Sequence, residues 1–229
     1  MELIDFEDYT ILNLRMAIVI QILALVAAIT IHEAAHAWMA DRLGDPTARI
    51  QGRLSLNPIK HLDLYGSILV PLFLLFIRSP FLFGWAKPVR FDPYNLANPR
   101  RDAALISLAG PAANLVLATV LSLFLRFLAT PFSPLAYFSA IFYPFIILNV
   151  VLAIFNLLPI HPLDGGKVLV GLLPKETAGE VEMFMNRYGI LILFLLIFPT
   201  VGGASLVSII IFPIINVVLS FLIPGSPVI

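Results

Sequence analysis

The 229-residue chain is 60% hydrophobic with a mean hydropathy of +0.98, far more apolar surface than one water-dissolved domain of this size can bury. Charged residues make up 12%, against about 25% in ordinary soluble domains, and balance to a formal net charge of zero, so nothing points to nucleic acid as a partner. With no cysteine, the chain has no disulfides, thiolate metal sites or cysteine nucleophile, and His, Asp and Glu remain as the strong metal-ligating side chains.

A helix that crosses a bilayer needs roughly 20 apolar residues. Residues 12–43, 103–128 and 135–158 each meet that length. The first of these, apolar over 11–39, is too long for a signal peptide and carries His32, Glu33 and His36, so it is read as retained. Residues 64–83 are apolar but broken by Pro71, Arg78 and Pro80, a poor straight helix. If they crossed fully, Arg42, Arg49, Arg53 and Lys60 would face the opposite side from Lys87, Arg90, Arg100 and Arg101. The positive-inside rule disfavours that arrangement, whereas a partly inserted element keeps both basic groups cytoplasmic. Between the first helix and this element, "TARIQGRLSLNP" alternates in part and is expected to form short strands.

With the basic loops inside, the acidic N-terminus (Glu2, Asp5, Glu7, Asp8) lies outside and the first helix descends to the cytoplasmic half. The third helix descends likewise and delivers Asp164 to the same level, while Lys167, Lys175 and Arg187 again fall inside. The tail, 188–223, is apolar but interrupted by Pro199, Gly202, Gly203 and Pro213, and reads as a hairpin or one kinked span.

The end of the first helix carries the chemistry. His32-Glu33-Ala34-Ala35-His36 is an HExxH motif, which on a helix sets two imidazoles one turn apart, within reach of one ion. Glu33 points to a neighbouring sector, where it can take a proton from the attacking water and return it to the leaving amine. Ionisable residues at depth in an apolar helix are costly unless they pair, bind something or line a cavity. Catalytic zinc usually takes three protein ligands, and the candidate for the third is Asp164 in "NLLPIHPLDGGK". An Asp-Gly pair also serves as a helix cap or a turn, and this reading stands beside the first.

The combination of "HEAAH", "AGPAAN" and "NLLPIHPLDGG" resembles the site-2 protease family of intramembrane zinc proteases. "GDPTARIQGRLSLNP" and "FGWAKPV" further resemble its small prokaryotic members without accessory domains. The resemblance covers residues 31–174 and implies that His32, His36 and Asp164 bind one zinc ion. It also places Asn156 near the metal, contacting substrate or the developing oxyanion, a task a side-chain amide donor suits; an interhelical hydrogen bond is the other reading. Gly110, Pro111 and Asn114 match the family's GPxxN element, Gly110 as packing and Asn114 as a bond to a metal ligand or to another helix. His161 stands where the family has proline, as a substitute ligand, a gate or a water-facing loop residue. His61 matches a loop histidine of the small members and is expected to brace the loop; Leu64 departs from the proline expected there.

Taken together, the expected fold is an all-α polytopic membrane protein, a bundle of about four to six transmembrane helices. A partly inserted irregular or short β element lies between the first and second core helices, and 1–229 is a single domain with its core at 11–174. The expected activity is that of a zinc metalloendopeptidase in the prokaryotic plasma membrane, cleaving a transmembrane protein substrate near the cytoplasmic side. An intramembrane metal transporter and a catalytically inactive binding homologue are the alternatives.

Overall fold

The computed structural model describes residues 6–77, 86–128, 141–198 and 205–223. These form eight α-helices and no sheet: α1 (Phe6–Arg42), α2 (Thr47–Ile50), α3 (Val70–Phe76), α4 (Pro99–Leu128), α5 (Phe142–Asn156), α6 (Asp164–Leu172), α7 (Lys175–Ile197) and α8 (Leu206–Leu222). Met16–Arg42 of α1 and Pro99–Leu128 of α4 are long and apolar enough to cross a membrane, and α5 and α8 are shorter apolar helices.

α4 is the central element, in contact with α1, α5, α6 and α8. Both helices bury rows of every fourth residue, and Ile106, Gly110 and Asn114 of α4 meet His36, His32 and Ala28 of α1. α1 buries Ala24, Ala28, His32, His36 and Ala40; α4 buries Ile106, Gly110, Asn114, Ala118 and Ser122. Rows at this spacing form ridges that interdigitate. Large apolar side chains point outward instead, among them Ile22 and Leu23 on α1 and Val116, Val120, Leu123 and Phe127 on α4. Small residues inside and large ones outside are what lipid favours, because helices there associate by close backbone approach rather than by removing apolar surface from water.

At the other end of α4, Ala118 and Leu125 pack with Ile146 and Val150 of α5 and Ile211, Ile215 and Leu219 of α8. Ser122 Oγ and the Arg126 guanidinium donate to the carbonyls of Leu222 and Phe221, satisfying acceptors that a helix end leaves open. The C-terminal ends of α4 and α8 therefore lie side by side. Contacts of His36 with Ile106 and of Asn114 with Ala28 show that α1 runs antiparallel to α4.

The strands expected over 47–58 do not form. Asp45 explains why: its carboxylate accepts from the main-chain N–H of Thr47 at 3.1 Å and its hydroxyl at 2.6 Å, starting the single turn of α2. Gly52 at φ +67° then reverses the chain. The alternating apolar residues end up exposed, Ile50 at 80% and Leu56 at 71%, because no partner strand covers them. α1 itself ends in a Schellman motif, with Asp45 N–H donating to Ala40 O and Gly44 N–H to Asp41 O while Gly44 takes φ +103°.

Of the element expected at 64–83, residues 78–83 lie outside the described residues. The rest is a 6-residue π-helix, Leu64–Leu69, followed by the 7 residues of α3, at most about 20 Å of rise against a hydrocarbon core of about 30 Å. The apolar tail is divided between α7 and α8, which touch; α7 begins at Lys175, before the apolar stretch.

Candidate metal centre

α1 and α6 bring three ligand atoms together. His32 Nε2 and His36 Nε2 lie 3.1 and 3.2 Å from the same oxygen, Oδ2 of Asp164. The two rings sit edge to face with centroids 4.6 Å apart, as an i, i+4 pair on a helix dictates. Among the described residues, His32, His36 and Asp164 form the group whose ligand atoms all fall within 4.8 Å of one another. Tetrahedral zinc with bonds of about 2.0–2.2 Å separates its ligands by about 3.3–3.6 Å, close to these spacings.

The donor set also has the right chemistry. His36 Nδ1 lies 2.7 Å from the carbonyl of Ile106, and His32 Nδ1 lies 2.6 Å from Asn114 Oδ1. Both partners accept, so each Nδ1 carries the proton and each Nε2 of the neutral rings presents a lone pair. Two lone pairs aimed at a carboxylate oxygen repel unless a cation lies among them. The residues present therefore fit a bound zinc ion, held by His32, His36 and Asp164.

The "GPAAN" stretch of α4 supports both imidazoles. Gly110 leaves the space they occupy: a Cβ there would lie 2.8 Å from His32 Cε1 and closer still to His36. Pro111 lacks the N–H that would bond the Ser107 carbonyl, loosening the ladder one turn before the site, where Ile106 receives His36. Asn114 takes His32. Gly110 is thus more than the general packing residue expected from sequence.

Asp164 is the first residue of α6, and the cap is Leu163, with no capping bond from a side chain. The following glycines are required for space, not for an unusual turn. A Cβ on Gly165 would overlap the carbonyls of Leu157 and Leu158, and one on Gly166 would stand 2.9 Å from His161 N. Close packing of α6 on the loop after α5 is what carries Asp164 to α1.

Glu33 lies beside this group, and its Oε2 accepts the main-chain N–H of Val89 at 3.0 Å. A cavity of about 460 Å³ is lined by His32, Glu33, His36, Val89, Asn156 and Asp164. Asn156 spends one N–H on its own helix, donating to Leu152 O at 2.9 Å; its contact is not interhelical. The segment bearing Val89 is fixed from behind, because Lys87 N–H donates to His61 O at 2.9 Å and buried Arg53 donates to the carbonyls of Lys60 and Lys87. His61 is fully buried, with Nε2 2.7 Å from Ser55 O, bracing the loop. His161 is not in the metal group. It lines a separate cavity of about 640 Å³ with Arg100, Lys167, Lys175 and Glu182. There burial and the Lys167 charge lower its pKa, with Glu182 opposing.

Val89 acts through its main chain, which no side-chain pattern reveals; "FGWAKPV" marks the stretch without marking the atom. Asp45 was equally hidden. Besides Thr47 its carboxylate binds Asp92 N–H and Asn95 Nδ2, each at 2.8 Å, tying the end of α1 to the strap that follows Val89. These hydrogen bonds outweigh its burial, which by itself raises the pKa, and hold the carboxyl below the ordinary range.

Comparison with known proteins accords with this centre. The chain matches the model of Peptidase family M50 over residues 20–137 and 133–196. It is 39% identical over 201 residues to "Putative zinc metalloprotease YwhC" of Bacillus subtilis (strain 168), covering 85% of each chain. It is 30% identical over 178 residues to "Putative zinc metalloprotease Rip2" of Mycobacterium tuberculosis (strain ATCC 25618 / H37Rv), covering 78% of this chain and 66% of the relative. No solved structure matches the chain. With an HExxH helix and a distant aspartate meeting at one point, and with these relatives, the chain belongs to peptidase family M50, the site-2 proteases, and is a membrane zinc metalloprotease.

Proposed function

We propose that the protein hydrolyses a peptide bond in or near a transmembrane segment of another membrane protein, with one zinc held by His32, His36 and Asp164. The observation that carries this reading is the convergence of those three ligands beside Glu33 in a cavity between helices whose outer faces are apolar. When bound, zinc lowers the pKa of water to about 7 and polarises the scissile carbonyl. Glu33 takes the proton from the attacking water and passes it to the leaving nitrogen. Asn156 directs its second amide N–H into the cavity, toward the oxygen on which negative charge develops. The imidazoles are held by Asn114 and the Ile106 carbonyl, and Asp164 by the close packing of Gly165 and Gly166 on the loop after α5.

The bundle of α1, α4, α5 and α8 crosses the membrane, α1 opposite in direction to α4 and α8 ending beside the end of α4. The basic loops at the metal end support a cytoplasmic position for the site, with the start of α1 outside. The exposed apolar crest of Ile50, Leu56, Ile59, Leu64 and Phe76 supports partial insertion of the loop between α1 and α4. A substrate helix hides its amides in internal hydrogen bonds and must unwind locally. Ala86, Pro88, Val89 and Phe91 of the coil at 86–91 line the cavity, and the carbonyls of this coil beyond Lys87 are where an extended peptide would pair, in the manner of strand addition.

Glu33→Gln tests the reading. The variant is expected to retain zinc and lose proteolysis, so that membrane fragments absent from wild-type cells accumulate in variant cells. Loss of metal transport with no accumulated fragment would overturn the protease in favour of a transporter.

A further inference from the structure

Asn149 has no place in the motifs, yet it is fully buried in α5 and bonded to the residue that holds His32. Asn114 Nδ2 donates to two acceptors, Asn149 Oδ1 at 2.6 Å and Ala28 O at 3.0 Å. Asn149 is itself oriented by its Nδ2, which donates to Phe145 O one turn back at 2.8 Å. A main-chain carbonyl only accepts, so each amide has its direction set, and Asn114 is left with its oxygen toward His32 Nδ1. If the Asn114 amide turned over, its NH2 would face Nδ1 and stabilise the tautomer with the proton on Nε2. That proton would sit where the metal binds.

We propose that Asn149 is a positioning residue for the zinc site: it locks the Asn114 amide, and through it the His32 tautomer, in the metal-binding form. The inference rests on His32 being a zinc ligand. Of the two acceptors holding Asn114, Asn149 is the one a substitution can remove. The same chain, His32 to Asn114 to Asn149, joins α1, α4 and α5 through buried amides. α5 also carries Asn156 and leads into the loop before Asp164, so ligands from distant parts of the chain share one support. Leaving a buried amide nitrogen unbonded in so apolar a bundle is costly, and Asn149 gives one of its two N–H donors to the Phe145 carbonyl.

The test measures zinc affinity of the purified full chain by chelator competition, with the thermal midpoint of the metal-free protein beside it. Asn149→Leu is expected to weaken zinc binding about tenfold, the lower end of what partners of metal-bound histidines contribute. Asn149→Asp, whose carboxyl accepts from Asn114 Nδ2 with one oxygen and, kept protonated by the apolar surroundings, donates to Phe145 O with the other, is expected to restore most of that affinity. In an Asn114→Ala background, where there is no amide for Asn149 to hold, adding Asn149→Leu should leave zinc affinity unchanged even if the midpoint falls. Equal losses from the Leu and Asp variants, or the same loss in the Asn114→Ala background, would overturn the proposal and leave Asn149 a packing residue. His32→Ala separates the two levels: if it does not weaken zinc binding, the ligand assignment fails; if it does and Asn149→Leu does not, the positioning role alone fails.

Discussion

Gly110 and His36 occupy what is nearly one space: the Cβ of any other residue at 110 would overlap the His36 imidazole. Swinging the ring aside would break the bond between its Nδ1 and Ile106 O, on the same helix as Gly110.

Gly110→Ala is therefore expected to separate stability from metal binding. Alanine favours a helix over glycine by about 1 kcal/mol, so α4 itself gains. Zinc affinity falls by tenfold or more as the imidazoles are displaced. Metal content by elemental analysis, together with the thermal midpoint of the metal-free protein, checks both halves; a variant that binds zinc normally would show that the helices can part at no cost to the site.

Val89→Pro removes the N–H that Glu33 accepts and leaves the metal ligands untouched. Proteolysis is expected to drop about tenfold or more with zinc content unchanged, while Val89→Ala, which keeps the N–H, retains near wild-type activity. Equal activity of the two variants would mean that this contact does not hold the base in place.

The carboxyl of Asp45 titrates below its unfolded value of about 3.9. Its contribution to stability is therefore present at neutral pH and is lost as pH falls through the folded-state value, after protonation of the unfolded chain has begun near pH 4. Asp45→Asn should cost about 1–3 kcal/mol at pH 7 and progressively less at lower pH. Thermal midpoints of both proteins over pH 7 to 3 would show converging curves; parallel curves would contradict the assignment.

The outward-large, inward-small arrangement of α1 predicts an inverted response to substitution. Ala28→Leu, at a fully buried position facing α4, is expected to destabilise by about 1–3 kcal/mol through overpacking. Leu23→Ala, at a residue 56% exposed, should change stability by less than about 0.5 kcal/mol. Midpoints measured in lipid nanodiscs would decide it, and a larger loss from Leu23→Ala would mean that α1 presents the other face to its neighbours.

How much of this was legible depends on where the information resides. His32, Glu33 and His36 are legible because helical spacing places them, and Asp164 because a carboxylate at the end of an apolar stretch demands a reason. The alternation in 47–58 misled, since Asp45 and Gly52 set the local backbone while alternation alone supplies no partner strand. Asn149 belongs to no motif in the sequence; its meaning lies in a distance to Asn114 that only the packing of α4 on α5 creates. Val89 left no trace, because every residue but proline owns a main-chain N–H.

The bond between Val89 and Glu33 also divides the site into two mechanical parts. The metal ligands belong to helices cross-linked by buried amides and close glycine contacts. The strap at 86–91 is coil, fastened through Arg53, His61 and Asp45. A compound wedged between that strap and α1 would draw the base away from its partner while leaving the metal in place. Inhibition of this enzyme need not involve a chelating warhead: such a wedge would act on the base and leave the zinc ligands as they are.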